Sequence, residues 1–342
     1  MNFQIDTGSK DPLYKQLIAK VEKGIRDGSM PPGMQLASMN ELAAELDISR
    51  ETVKKAYGIL AAHGLILPRH GKGFYVADPE ARARLEVLVI IDKFSVYKQI
   101  LLNAFYETLE DRAEITTLNH NQNLDLLEYY LDNELDQYDY YVLAPHFPLD
   151  EASQSRCRKL LRRIPFRKLI LLDHLQPGFP GNFGAVYQDF ENDIYSGLMQ
   201  GVTGSVPRTR MLRVITLPSS LYGRQIRKGV ERFVQEQDLP VEYLTEAPDD
   251  IRPGDTFLVL NSQLDAGLVS LARKIQVAGL TIGKDVFIIS YNEFDMNELV
   301  LGGLTTVSTD FREMGRIAAQ MILDNKIRKE HCPFRMIRRS TF

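Results

Sequence analysis

The chain of 342 residues contains no apolar run approaching the roughly 20 residues needed to span a bilayer; segments 85–91 and 256–260 are the longest candidates. Its first ten residues, MNFQIDTGSK, lack the apolar core of a secretory signal, so a cytoplasmic location is expected. Cysteine is scarce: Cys157 and Cys332 form no CxxC pair, and the six histidines form no HxxxH or HExxH. A disulfide framework, a metal site and a resident cofactor are therefore not expected. No charge dominates either, since 41 Lys and Arg face 45 Asp and Glu for a net −4. A protein that coats nucleic acid or anionic lipid along its whole length is excluded, although one local basic surface is not. Catalytic motifs are wanting as well. GLTIGKD at 279–285 has three residues between its glycines where a P-loop needs four, no GxSxG occurs, and Asp249-Asp250 sit beside Pro in a loop pattern. No enzyme activity is expected from these residues. There is also no low-complexity tract and no tandem repeat.

What the chain does have is ordinary core-forming composition, 44% hydrophobic and 25% charged, over a length that implies two or more domains. Residues 1–80 read as one of them. Leu13, Leu17, Ile18, Val21 and Ile25 recur at helical spacing and stop at Asp27-Gly28 and the Pro31-Pro32-Gly33 turn. Ser38 followed by Glu41 forms a capping box for a second helix through Leu42, Ala43 and Leu46, ending near Asp47. Ser49 caps a third, whose stripe Val53, Ala56, Tyr57, Leu60 runs to Gly64. Segments 65–67 and 74–76 then flank a basic tip, which completes a winged helix-turn-helix.

The stretch DPLYKQL…GSMPPGMQLASMNELAAELDISRETVKKAYGILAAHGLILPRHGKGFYV resembles the DNA-binding domain of GntR-family bacterial transcription regulators over nearly all of 10–77. The family usually has Pro at the position of Ala37 and Arg at that of Asn40. The resemblance implies binding of double-stranded operator DNA. Base edges need the N-terminal residues of the third helix, and phosphates need cations and backbone N–H groups. The candidates are Arg50, Glu51, Thr52, Lys54 and Lys55 on that helix, Ser38 near the backbone, and Arg69, His70 and Lys72 on the wing; Tyr57 is read as core. Residues 1–80 hold ten basic and ten acidic residues, but 50–72 carries Arg50, Lys54, Lys55, Arg69 and Lys72 against Glu51 alone.

From Arg84 onward strands alternate with helices: strands at 86–92, 114–118, 140–144, 168–172, 212–216, 241–244, 256–260 and 286–290, with helices at 97–110, 124–135, 151–163, 224–237 and 268–278. Such alternation predicts parallel sheets covered by helices, in two lobes. The basic stretch Arg335, Arg338, Arg339 reads as a solvated strand face. VYQDFENDIYSGL, FLVLNSQLDAGL, TIGKDVFIISYNEF and above all LTTVSTDFREMGRIAAQMI resemble the effector domains of lactose/galactose-repressor regulators, themselves similar to periplasmic sugar-binding proteins. The fold expected is an α/β two-lobe periplasmic-binding-protein-like domain, with two Rossmann-like parallel sheets and three crossovers, plus an N-terminal winged helix-turn-helix. The expected boundaries are 1–77 for the DNA-binding domain, 78–85 for a linker and 86–342 for the effector-binding and dimerisation domain.

A polar ligand needs hydrogen-bonding groups at the carboxyl ends of parallel strands, where loops converge. After the first strand, Asp92 or Lys93 could bond ligand hydroxyls and Phe94 or Tyr97 could stack on a sugar face. His146, beside Phe147, follows the strand at 140–144, and Asp173 and His174 follow that at 168–172. The resemblance adds Asp189, Asn261 and Asn292, the last in place of a usual Asp. It also points to Arg224, preferred over Arg227, because Ile226 holds the spot where relatives place a ligand-contacting Arg before the glycine at 229. The whole implies a sequence-specific repressor that acts as a homodimer and is controlled by a small effector, a monosaccharide such as fucose or arabinose, with a nucleoside or other small metabolite as the alternative. An enzymatic fusion on the same DNA-binding module and a transport sugar-binding protein are the competing classes. The first needs a longer C-terminal domain with a cofactor lysine, and the second an export signal.

Overall fold

Two compact units divide the chain between Arg84 and Leu85 in a computed structural model that describes residues 11–69, 73–77, 84–202, 209–216, 221–260 and 266–342. In the first unit, helices α1 (Leu13–Arg26), α2 (Met39–Glu45) and α3 (Arg50–Ala62) precede an antiparallel pair, β1 (Ile66–Arg69) and β2 (Gly73–Val76). Leu17, Val21, Leu42, Val53, Ala56, Leu60 and Ile66 close the core at the spacing the sequence predicts. Both caps are made. Ser38 accepts the Glu41 N–H while Glu41 accepts the Ser38 N–H, and Ser49 accepts from Thr52. The α3 stop is equally local: Gly64 takes φ +71°, and Leu65 N–H and Gly64 N–H donate to the carbonyls of Leu60 and Ala61. Tyr57 is buried, with its hydroxyl donating to the Ala37 carbonyl at 2.9 Å.

The second unit is a two-lobe α/β domain. Its first lobe runs β3 (Leu85–Ile91), α4 (Val96–Leu109), β4 (Ala113–Asn119), α5 (Leu124–Glu134), β5 (Tyr140–Leu143), α6 (Glu151–Leu161), β6 (Leu169–Asp173), β7 (Gly184–Tyr187). The chain crosses as α7 (Phe190–Val202) into the second lobe: β8 (Met211–Ile215), α8 (Gly223–Glu236), β9 (Val241–Leu244), β10 (Asp255–Val259), α9 (Ala266–Val277), β11 (Phe287–Tyr291), β12 (Thr305–Thr309). It returns as α10 (Phe311–Leu323) to β13 (Lys329–His331), then crosses once more to β14 (Phe334–Ile337). The two sheets have the same order, β13-β7-β6-β5-β3-β4 and β14-β12-β11-β10-β8-β9; every pairing is parallel except β14 on β12.

Each crossing helix packs on the lobe opposite the strand it follows. Phe190, Ile194 and Leu198 of α7 join the core of the second lobe, and Phe311, Met314 and Ile317 of α10 join that of the first. Both are drawn in by a glycine. A Cβ on Gly229 of α8 would lie 2.2 Å from the Glu191 carbonyl oxygen, and one on Gly315 of α10 would lie 2.1 Å from that of Leu101. At the end of the chain the expected solvated strand face holds for Arg335 and Arg338, both exposed, Arg335 paired with Asp310 at 3.2 Å and Arg338 donating to the Gly201 carbonyl. Arg339 departs from it, half-buried and paired with Glu293 at 2.8 Å.

Candidate functional site

On the first unit the exposed face of α3 is Glu51, Lys54, Lys55 and Gly58, at the spacing of one helical stripe, with Arg50 exposed at its start. Arg50 has no partner among the described residues, and Lys54 lies 3.6 Å from Glu51 with both side chains solvated, so neither cation is tied down. Lys55 differs, since its ammonium rests 4.0 Å from the centre of the Tyr14 ring on α1. The hydroxyls of Ser38 and Thr52 are engaged at the helix starts, Thr52 with Ser49 at 2.8 Å. Arg69 ends β1 and its side chain, like His70 and Lys72, lies outside what is described.

On the second unit a buried charged cluster occupies the carboxyl ends of the first sheet. Lys98, on α4, has its ammonium hydrogen-bonded to Asp173 and 3.3 Å from Asp92. His146 Nε2 meets Asp173 Oδ2 at 2.8 Å, and the Gln188 amide donates to Asp173 Oδ1. Asp173 thus accepts three side-chain hydrogen bonds at 5% exposure while holding φ +72°, a left-handed backbone that few residues other than glycine adopt. Burial would raise the Asp173 carboxyl, yet Lys98 and then His146 hold it well below the usual carboxylate range. Burial opposes the charge on Lys98 too, but Asp173 and Asp92 outweigh it and raise that group. Two neighbouring imidazoles are kept neutral: burial lowers His120 and His174 to about 4. His120 is structural, bonded to the Ala144 carbonyl at 2.9 Å and stacked on Phe147.

The second lobe faces this cluster with Tyr222, at the start of α8, whose ring lies 5.1 Å from His146, 4.8 Å from His174 and stacked at 4.2 Å on Phe190. A direct bond also joins the lobes, Thr309 Oγ1 donating to Gln188 Oε1 at 2.6 Å. Around this junction five buried side-chain atoms have no hydrogen-bond partner: Asp92 Oδ1, His174 Nε2, Tyr222 Oη, Gln225 Oε1 and Asn292 Oδ1. Buried polar groups are normally paired, so such a concentration makes this junction the candidate ligand site. Among the described residues no group of three or more His, Cys, Asp and Glu is arranged to hold a metal ion.

The structure brings His146 and Asp173 into direct contact and leaves Asn292, half-buried just after β11, with an open acceptor. Lys93 and Phe94 point to solvent, Phe94 at 68% exposure, and Arg224 is exposed on the first turn of α8. Tyr97 packs between Phe294 and Phe311. Asp189 caps α7, accepting from the Asn192 backbone at 3.3 Å and its amide at 2.7 Å. Arg227 pairs with Glu231 and covers Tyr243. Asn261 lies outside the described residues. Sequence reasoning missed Lys98, Gln188, Tyr222 and Gln225. Lys98 left a signal: it stands three and four residues before Leu101 and Leu102, on the apolar stripe of α4, where an unpaired lysine is not tolerated.

Comparison with known proteins follows the same division. Residues 13–76 match the model of bacterial regulatory proteins of the gntR family, and residues 208–341 match a periplasmic binding protein-like domain. The HTH-type transcriptional repressor YtrA of Bacillus subtilis is 33% identical over 107 residues, 31% of this chain and 82% of YtrA. The histidine utilization repressor of Pseudomonas putida is 38% identical over 85 residues, 25% of this chain and 34% of that protein. This chain therefore spans most of YtrA but about a third of the Pseudomonas protein. A Lac repressor dimer bound to operator and the anti-inducer ONPF has the same fold, with a TM-score of 0.58 at 16% identity over 77% of this chain and 95% of that one. No helix among the described residues is long and apolar enough to cross a membrane.

Proposed function

This chain belongs to the gntR family of bacterial regulatory proteins, and from that premise we propose that it is a repressor whose grip on operator DNA is set by a small effector held between the two lobes. The observation that carries the effector half is the set of five partnerless buried atoms, drawn from both lobes. Each such atom left unpaired costs about 1–3 kcal/mol, and a small molecule rich in hydroxyls repays that cost by bonding several at once. A monosaccharide such as fucose or arabinose fits this demand in donor number. Operator binding is assigned to Arg50 and Lys54, the cations that α3 leaves unengaged or merely solvated, with Glu51, Thr52, Lys55, Ser38 and the wing residues Arg69, His70 and Lys72 around them. The working form is a homodimer in the cytoplasm, which gives two recognition helices for two half-sites.

The effector half is tested by melting the full chain with L-fucose, L-arabinose, adenosine and uridine. A true effector at 100 times its dissociation constant adds about 2.7 kcal/mol of stability. A shift by the nucleosides alone replaces the sugar reading with the alternative. For the DNA half, an operator is selected from random duplexes, and Arg50→Ala and Lys54→Ala should each weaken its binding by about 1–3 kcal/mol at matched salt. Parental affinity in both variants would place the interface elsewhere. Light scattering on residues 85–342 alone should report a dimer; a monomer beside a dimeric full chain would move that interface out of the second unit.

A further inference from the structure

We propose that the effector site filters by charge: it takes an uncharged or amino-bearing polyol and rejects the phosphorylated and carboxylate-bearing forms of the same skeleton. The inference rests on the effector reading above and narrows it. Two carboxylates, Asp92 and Asp173, share the one ammonium of Lys98, and all three are about 95% buried. Asp173 is saturated by Lys98, His146 and Gln188, so the carboxylate with an acceptor still open is Asp92. Its Oδ1 lies 3.3 Å from the Lys98 ammonium yet makes no aligned hydrogen bond.

Among the described residues set against this cluster from the facing lobe, Tyr222, Gln225 and Asn292 are neutral, and Arg224 is exposed. Tyr222 heads α8 without a side-chain cap, so that helix start contributes at most about half a positive charge, less than the full charge of a carboxylate. Hydrogen-bond polarity points the same way. Gln225 and Asn292 can turn their amides to donate, but a carboxylate only accepts, and Asp92 therefore demands a hydroxyl or an ammonium from the ligand. A phosphate or carboxylate placed there sets acceptor against acceptor and charge against like charge in a site closed to water.

The test uses the full chain and matched sugars: D-galactose, D-galactosamine, D-galactose 6-phosphate and D-galacturonate, with the corresponding glucose set and with L-fucose and L-arabinose. Melting shifts and calorimetric affinities should be confined to neutral and amino members, with their anionic counterparts weaker by roughly a hundredfold. In Asp92→Asn that ratio should narrow by at least about tenfold. A second arm needs no ligand. Asp92→Asn should melt at or above the parental temperature, because Lys98 keeps its hydrogen bond to Asp173 and an open amide oxygen costs less than an open carboxylate oxygen, whereas Asp173→Asn should melt several degrees lower. Anionic sugars that bind as well as neutral ones overturn the filter and leave the effector reading standing. A panel that gives no shift beside a stabilised Asp92→Asn overturns the sugar reading. An Asp92→Asn variant as damaged as Asp173→Asn overturns the assignment of Asp92, which is then half of a structural ion pair.

Discussion

The two lobes share one topology yet finish their equivalent strand ends differently. The fourth strand of each finishes at a left-handed residue other than glycine, Asp173 as the last of β6 and Asn292 directly after β11, both at φ 72°. The fifth leads in each into an aspartate that caps the crossing helix, through Gln188-Asp189-Phe190 and Thr309-Asp310-Phe311. In the first lobe the left-handed residue is a charged acceptor of three side-chain bonds; in the second it is a neutral amide whose oxygen bonds nothing. Folding alone satisfies Asp173. Asn292 is left for a ligand, as are Asp92 and His174 beside Asp173, and a ligand shifts an equilibrium only through groups it engages in one state.

The strongest way to break this contrast is to exchange the two residues' roles in stability. Asp173→Asn strips the principal counter-charge from a buried lysine and should cost about 3–5 kcal/mol. Asn292→Ala removes a side chain that folding does not use, and should cost about 1 kcal/mol, chiefly for placing Ala in the left-handed region. Urea unfolding of the pair measures the difference; equal losses would show that the second lobe is as fully built as the first.

Acid sharpens the same contrast. His120 and His174 titrate near 4 in the folded chain against about 6.5 unfolded, so the unfolded state binds more protons between those values and stability falls with pH there. Asp193, buried with His331 at 2.7 Å, opposes them: burial raises it to about 6, and the stability it contributes grows as pH falls toward about 4. Two histidines against one aspartate leave a net loss of roughly 3 kcal/mol between pH 6.5 and 4. The Asp173–Lys98 pair adds no slope in this window. The depressed Asp173 loses its contribution only below the unfolded carboxylate value, and the raised Lys98 only above the unfolded lysine value. A flat profile from pH 6.5 to 4 would mean that the histidines do not stay neutral.

Effector affinity should respect the asymmetry less than stability does. Asn292→Ala should weaken effector binding by about 1–3 kcal/mol, with operator affinity in the absence of effector within a few-fold of the parent. Asp189→Ala is the informative partner. Its carboxylate caps α7, so the structure supports a loss of about 1 kcal/mol in stability. Calorimetry that finds effector binding unchanged in Asp189→Ala but reduced in Asn292→Ala would retire Asp189 as a ligand residue.

Local order was legible in the sequence, and long-range partnership was not. Ser38 with Glu41, Ser49 and Gly64 announce the ends of α2 and α3 because capping is decided within a few residues, and strand ends fell within a residue or two of prediction. Asp173 was found from its place at the end of a predicted strand, and Asn292 from the resemblance to the effector domains. Lys98 bonds Asp173, 75 residues away, because the parallel sheet brings α4 beside the end of β6, and Thr309 bonds Gln188, 121 residues away, because the chain has crossed to the second lobe in between. No spacing rule encodes them. Asp189 shows the converse: an aspartate before a helix reads equally as a cap and as a ligand group until its partners are seen.

The smallest expected effect concerns the one hydrogen bond that joins the equivalent positions themselves. Thr309 Oγ1 donates to Gln188 Oε1, and Gln188 in turn donates to Asp173, so the second crossover is linked to the charged half of the site by two bonds. Thr309→Val keeps the shape of a fully buried side chain and removes only the donor. It leaves Gln188 Oε1 unpaired, at a cost of about 1 kcal/mol in stability. Effector affinity alone should change little, because Asp173 still orients Gln188. The coupling between effector and operator should fall by a comparable amount, and the fall must appear equally whether effector is titrated with operator or operator with effector. Thr309→Ser separates the bond from the packing: it restores the hydroxyl, loses the methyl, and should recover the coupling while keeping a packing deficit. If Ser fails to restore the coupling that Val loses, the hydrogen bond alone does not join the lobes.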